Sequence, residues 1–509
     1  MMRASSTSST TDEKRAERFS ATLDDMFLDY SKNLVTTDIM DALKALAVSR
    51  GVVPAIKQLL SGAHVNSTED RAAWHTALRQ AHSPEKDEIP EGIKEAILNS
   101  RQKMTNWVEQ LNKGTTGVTG KTIRYIVHMG IGGSDLGPRL LFDALKPYHQ
   151  SDLDIRFVAN IDPKELLGHL QQIDPEKTLF ILASKSFSTQ ETLENAKLAK
   201  AWLQKHLKTT DVSKHFLAVT ANVAAAIDWG MLESHILPIW DWVGGRYSVW
   251  SSMSLPVALK IGIDHFNAFL NGGYEMDQHF KKAPLLQNIP VILGLLGIWY
   301  TNFLKYPTLA ILPYDQGLSL LPNYLQQLDM ESNGKSMQHS ANPTTYATGP
   351  IIWGQAGTHG QHAFYQLLHQ GTHVVPSDFI LVAKSNHEAK SQHDLLLANG
   401  LAQSRALMLG DTHEVERHKH VPGNKPSSTL LLRELNPKTL GMLIALYEHK
   451  VYVQGVIWHI NSFDQPGVEL GKRLAKEIAS DFEGNGGQTL DPSTHQLLDK
   501  IKSYAKNPA

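Results

Sequence analysis

The sequence predicts an α/β protein made of two doubly wound, mainly parallel-sheet domains in tandem, with helical extensions at both ends. Three observations predict this. Strand–turn–helix units recur in two separate series, an unbroken apolar helix stands between the series, and roughly the first hundred residues carry helical patterns.

The helical patterns of the opening region include "DIMDALKALAVSRGV" and "PEGIKEAILNSRQKMTNWVEQL". The first α/β series then begins with the β-rich run "TIRYIVHM", a glycine turn and the helical "LGPRLLFDALKPY". "TLFILAS" leads into "ETLENAKLAKAWLQKHL", and "HFLAVTAN" precedes another short helix. The run "IPVILGLLGIWY" is about a dozen residues long, short of the roughly 20 that span a bilayer, and reads as a buried helix. Beyond it the strand candidates are "TLAILP", "GPIIWG", "DFILVAK" and "STLLLREL". The domain break is expected near Asn271-Gly272-Gly273. The expected division is a tail and helical region over 1–100 that packs with the second domain, α/β domains over 101–270 and 271–485, and a C-terminal helical extension over 486–509.

A chain of 509 residues exceeds the size at which one core stops growing, so two domains are expected. With 42% hydrophobic and 20% charged residues, the composition is that of an ordinary globular protein. A formal charge of −2 offers no basic field for nucleic acid or an anionic membrane. The absence of cysteine excludes disulfides, thiol catalysis and thiolate metal sites, and fits a reducing cytoplasm. The opening "MMRASSTSSTTDEKR" lacks the apolar core of a secretory signal and reads as a tail.

The stretch "ASKSFSTQET" follows a strand and opens a helix, the position where open parallel sheets bind ligands. Ser188 and Glu191 have capping-box spacing, which sets the expected helix start. Hydroxyls beside a helix N-terminus suit an anion. Each hydrogen bond to a charged group contributes about 1.5–3 kcal/mol against about 0.3–1 for the dipole, so discrete donors would dominate. An ordinary helix cap with incidental serines fits the same composition. The second loop, "HMGIGGSDLGP", places Gly130, Gly132 and Gly133 between strand and helix. Asp135 stands where the dinucleotide fingerprint needs its third glycine, which disfavours a nicotinamide dehydrogenase, and no Walker lysine follows.

In "LSLLPNYLQQLDMESNGK" the apolar spacing predicts a helix with Pro322 in its first turn and Asn333-Gly334 as its stop. Tyr324, Gln327 and Glu331 are expected on one polar face. Glu331 sits at the helix's negative end, an unfavourable place of the kind found at functional sites, although on this argument alone a solvated glutamate is the favoured reading. Calcium is rejected, since Ser340 stands where the loop needs a bidentate glutamate. "WDWVGGRYSVWS" sets Arg246 after two glycines, where it could stabilise an oxyanion or simply stack on an aromatic. His359, His362, His369 and His373 cluster without a His-Glu-x-x-His motif, so a proton-shuttling imidazole is more economical than a metal. In "FDQPGVELGKRLAKEI" the expected core face carries Leu470, Leu474, Ala475 and Ile478, leaving Lys472 as a surface residue.

Six blocks, "GIGGSDLGP", "ASKSFSTQET", "VGGRYSVWS", "LQQLDMESNGK", "GQHAFYQL" and "FDQPGVELGK", occur in the order typical of the glucose-6-phosphate isomerase family, which the chain resembles from Gly130 to Lys472. The resemblance implies two sugar-isomerase (SIS) domains, a cytoplasmic enzyme of glycolysis and gluconeogenesis, and a homodimer whose active sites borrow residues across the interface. It implies a phosphosugar substrate interconverted between aldose and ketose through a cis-enediol, with no cofactor, no metal, no nucleic acid and no membrane partner. By motif position, Ser184, Lys185, Ser186 and Thr189 match the phosphate grip. Glu331 matches the base that moves the proton between C2 and C1, and His362 the ring-opening histidine supplied by the partner subunit. Lys472 matches a lysine associated with ring opening, and Arg246 the arginine facing the enediolate. Gly132, Ser134, Gln327 and Gln465 match substrate-lining positions. Pro466 departs from the family's usual tryptophan and Ser186 from its frequent threonine. Two rivals remain: an isomerase of another phosphosugar, and a non-catalytic SIS sensor, which would have no use for Glu331, His362 and Lys472 together.

Overall fold

The computed structural model describes residues 12–80, 89–411, 413, 416–482 and 490–506, so residues 1–11 of the expected tail lie outside the described residues. The chain forms two compact units, Met1–Phe463 and Asp464–Ala509. The first unit contains both sheets of a mixed α/β fold.

The region expected to be helical up to residue 100 begins differently. Strands β1 (Ser20–Leu23) and β2 (Met26–Asp29) form an antiparallel hairpin. Alternation explains it: Met26 and Leu28 are fully buried while Phe27 points outward, and Asp24 turns the chain at φ 43°. Helices follow at Thr37–Ser49, Val52–Leu60 and Glu91–Lys113.

The first parallel sheet contains β3 (Tyr125–Met129), β4 (Asp154–Val158), β5 (Thr178–Ala183), β6 (Phe216–Thr220) and β7 (Ile236–Pro238), in the spatial order β4-β3-β5-β6-β7. Every residue of β5 is buried, which its unbroken apolar run requires of a strand covered on both faces. The second sheet contains β8 (Thr308–Tyr314), β9 (Ile351–Gly354), β10 (Ser377–Lys384) and β11 (Ser427–Glu434). Its order is β1-β2-β11-β10-β8-β9, and the N-terminal hairpin joins through β2, with Leu28 opposite Leu430.

The glycines expected to mark a domain break instead lie inside the helix Leu255–Lys282. A Cβ at Gly272 would stand 1.8 Å from the Lys438 carbonyl oxygen of the buried helix Pro437–Trp458, and one at Gly273 would stand 2.7 Å from the Trp250 ring, so both glycines serve close packing. Residues Ile289–Ile298 form the expected buried helix, which runs on as a π-helical segment over Trp299–Leu304. No helix among the described residues is long and apolar enough to cross a membrane.

The second unit contains helices Glu469–Phe482 and Pro492–Lys506. Within this unit alone the expected core face of the first helix is not covered: Leu470 and Leu474 are 53% and 43% exposed.

Candidate active site

In the first sheet the chain runs from β3 outward to β4 and then crosses back to β5, so the strand order reverses between β3 and β5. Loops leaving the carboxyl ends of two such neighbours splay apart and open a crevice. Here they are the glycine loop after β3 and the hydroxyl loop after β5.

The hydroxyl loop is held from both sides. The Lys185 carbonyl accepts from Ala221 N–H at 2.9 Å and from Thr220 Oγ1 at 3.0 Å. Phe187 takes a left-handed backbone, φ 51°, with its ring buried in the core of the first sheet. That conformation is costly for a bulky residue and pins the loop. Ser184 Oγ and Thr189 Oγ1 are 2.9 Å apart, and Ser188 Oγ donates to Ser186 Oγ at 2.7 Å. The expected capping box is therefore not formed. Thr189 is the N-cap of helix Gln190–Leu207 and makes no side-chain cap bond, because its hydroxyl is engaged with Ser184. Thr192, which the motif reading passed over, is buried in the first turn with its hydroxyl unpartnered.

Lys185 donates to the Asp241 carbonyl at 2.7 Å. Burial, and then the positive charge of Arg71, lower its ammonium to about 8; Asp241 and Glu69 oppose the shift and Arg246 adds to it. The loop thus lies in a positive field that a phosphate would relieve.

Two glycine turns meet beside it. A Cβ on Gly133 would stand 2.1 Å from the Gly245 carbonyl, so only glycine lets the β3 loop touch the turn that carries Arg246. Gln327 Nε2 lies 3.0 Å from where a Cβ of Gly132 would be, and the buried Ser134 gives its carbonyl to His128 Nε2 at 2.8 Å.

Arg246 is 3% exposed. Its Nε donates to Ser332 Oγ and one Nη to the Ser462 carbonyl, both at 2.7 Å. The other Nη lies 3.7 Å from Glu331 Oε1. Ser332 also bonds the Tyr247 hydroxyl at 3.0 Å. The guanidinium is therefore locked before any ligand arrives. Ser332, Tyr247 and Ser462 do this locking; Ser332 stands inside the "DMESNG" block that drew attention to Glu331, and was missed.

The helix bearing Glu331 starts as expected with Pro322 in its first turn, but Gln326–Glu331 is π-helical. The wider turn breaks the 3.6-residue register on which the polar face was expected, and Tyr324 is buried, with its hydroxyl 3.4 Å from the Arg246 carbonyl. Single π turns inside helices recur at functional sites. Behind this segment Lys450 donates to Asp329 at 2.9 Å, both fully enclosed.

His362 is exposed on the 3₁₀ turn His359–His362, and no hydrogen bond or ion pair joins it to Glu331 or Arg246. His369 bonds Gln403 at 2.7 Å, and the described residues contain no cluster of three or more His, Asp or Glu able to hold a metal. Gln465 and Lys472 belong to the second unit, where Lys472 is exposed and pairs with Glu469 at 2.8 Å.

The phosphoglucose isomerase family model matches residues 29–498. Glucose-6-phosphate isomerase 1 of Chromohalobacter salexigens is 48% identical over 502 residues, covering 97% of this chain and 90% of that protein. The glucose-6-phosphate isomerase of Shewanella putrefaciens is 47% identical over 519 residues, covering 97% and 95%. The crystal structure of a glucose-6-phosphate isomerase from Chlamydia trachomatis superposes with a TM-score of 0.86 at 33% identity, covering 97% of this chain and 94% of that one.

Proposed function

The chain belongs to the phosphoglucose isomerase family, and on that premise we propose that it interconverts glucose 6-phosphate and fructose 6-phosphate by metal-free proton transfer through a cis-enediol. The observation that carries this reading is the pairing of Glu331 with a locked Arg246 beside the hydroxyl loop at the switch point of the first sheet.

The hydroxyls of Ser184, Ser186 and Thr189, with Lys185, grip the phosphate. Gly132, Ser134 and Gln327 line the sugar. Glu331 takes the C2 proton of the open-chain sugar and returns it at C1, a step for which a positioned carboxylate contributes about 10²–10⁴-fold. Arg246, already fixed by Ser332 and Ser462, meets the negative charge that grows on the enediolate oxygen without reorganising in the transition state. Ring opening falls to His362 and Lys472, with Gln465 lining the sugar. The resemblance to the family assigns His362, exposed on its own chain, to the neighbouring active site of a homodimer. The enzyme acts in the cytoplasm, in glycolysis and gluconeogenesis.

Purified protein incubated with fructose 6-phosphate, in the presence of chelator and without added cofactor, should form glucose 6-phosphate. Conversion that depends on added zinc or manganese, or no conversion at all, would contradict the proposal.

A further inference from the structure

A second cleft, of about 350 Å³, lies in the first unit, and none of the residues assigned to the reaction lines it. Its charged and ionisable lining groups are Arg50, His64, His339, His459 and Tyr452, and no aspartate or glutamate lines it. The Arg50 guanidinium makes no hydrogen bond or ion pair among the described residues, although it is half-buried and close enough to His459 to lower that imidazole, after burial, below its ordinary range. His64 bonds Asp70 at 3.0 Å and His339 bonds Ser67 Oγ at 2.8 Å, which leaves the second ring nitrogen of His64 open to a ligand. An unpaired guanidinium beside imidazoles, without a carboxylate on the walls, is a donor-rich field awaiting an anion.

We propose that this cleft is a second binding site, for a small phosphorylated metabolite. A tetrahedral phosphate has enough acceptor oxygens to engage the Arg50 fork and imidazole donors approaching from different sides. The volume is within the range of small-molecule sites and exceeds what one bare oxyanion fills, which favours an organic phosphate.

The floor of the cleft is shared with the catalytic arginine. Ser462 and Phe463 line it. The Ser462 carbonyl holds Arg246, its hydroxyl donates to Asn333 at 2.7 Å, and Phe463 packs on Tyr247 with ring centroids 5.3 Å apart. Ser67 lies on a loop tied to Asn461, whose amide donates to Asn66 and Thr68 at 2.8 and 2.6 Å. Farther along that loop, Glu69 and Arg71 act on Lys185. An anion here reduces the positive potential at both the phosphate grip and Arg246, so its occupancy weakens binding of an anionic substrate.

Calorimetric titration of the full-length protein tests this, with glycerol 3-phosphate, inorganic phosphate and citrate as separate probes. The wild type should bind glycerol 3-phosphate at two classes of site. Arg50→Ala should weaken one class by about tenfold or more, the cost of losing charged hydrogen bonds, while kcat at saturating substrate without effector stays within about twofold. His459→Asn, which keeps a residue tolerant of the left-handed backbone there (φ 55°), should weaken the same class. Arg50-dependent binding of glycerol 3-phosphate alone supports an organic phosphate occupant, and equal binding of inorganic phosphate supports the free ion as the source. One class of site in the wild type, titration of both variants like wild type, or Arg50-dependent heat with citrate only would overturn the proposal.

Discussion

Arg246 and Glu331 face each other at 3.7 Å, on a turn after β7 and at the end of a π-helical segment, and the arginine is also held by Ser332 and Ser462. A guanidinium so placed can serve charge that appears in the transition state without first being ordered. Arg246→Ala should lower kcat by about 10²–10³-fold, as removal of a pre-organised oxyanion donor does, with a smaller change in KM. A steady-state comparison checks this; a rise confined to KM would make Arg246 a ground-state binder.

Glu331→Gln preserves shape and removes the base. Turnover should fall by about 10²–10⁴-fold while a phosphorylated competitive inhibitor binds almost as before. Inhibitor binding that collapses while the bound fraction still turns over would remove Glu331 from the proton-transfer role.

The hydroxyl loop predicts the opposite signature. Ser184→Ala with Thr189→Ala should chiefly raise KM, because these groups hold the unreacting phosphate throughout. Lys185 adds a pH dependence. Its ammonium is lowered to about 8 in the free protein, so kcat/KM should decline as pH rises through about 8 and the protonated grip is lost. The sign for folding is opposite. A lysine whose proton leaves more easily in the fold costs stability below about 8, and that cost is relieved as pH climbs toward 10.5. A kcat/KM profile flat to pH 9, together with an unchanged KM for the double variant, would place the phosphate elsewhere.

Deep in the first unit Arg79 is bonded to Asp277 by two contacts of 2.6 Å and to Glu448 at 2.7 Å, while Trp250 donates to Glu448 at 2.8 Å. All four side chains are buried. Glu448→Ala strands a buried donor and an under-compensated charge, so chemical denaturation should show a loss of about 3–5 kcal/mol. The exposed pair Lys113–Glu109 is the contrast, since Glu109→Ala should cost no more than about 0.5 kcal/mol. Equal effects at the two sites would refute this weighting by burial.

Much of the fold was legible because apolar runs such as "TLFILAS" and "DFILVAK" stop at their turns and leave little choice of partner. β4 was hidden by its charged residues Asp154 and Arg156, and β7 by being only three residues long. The N-terminal hairpin did announce itself through the alternation at Met26 and Leu28, which lay under a strong helical background. At the site, chemistry-bearing residues could be named from motifs, but their support could not. Ser462 reaches Arg246 across 216 residues, and no local pattern encodes that contact. Nor does periodicity reveal a π turn, since the same residues satisfy an ordinary helical pattern. Lys472 shows the limit from the other side: its helix reads as surface on any periodic argument, and only the motif around it suggests chemistry.

The account rests on a proton carried by Glu331 between adjacent carbons, and isotopic exchange tests that most directly. With the wild-type enzyme in deuterated water, deuterium should enter the C1 or C2 position of the interconverting sugars during turnover, because a carboxyl-held proton exchanges in part with solvent before it returns. Complete retention of the original hydrogen, even when turnover is slowed, would instead indicate a direct hydride shift and contradict the account.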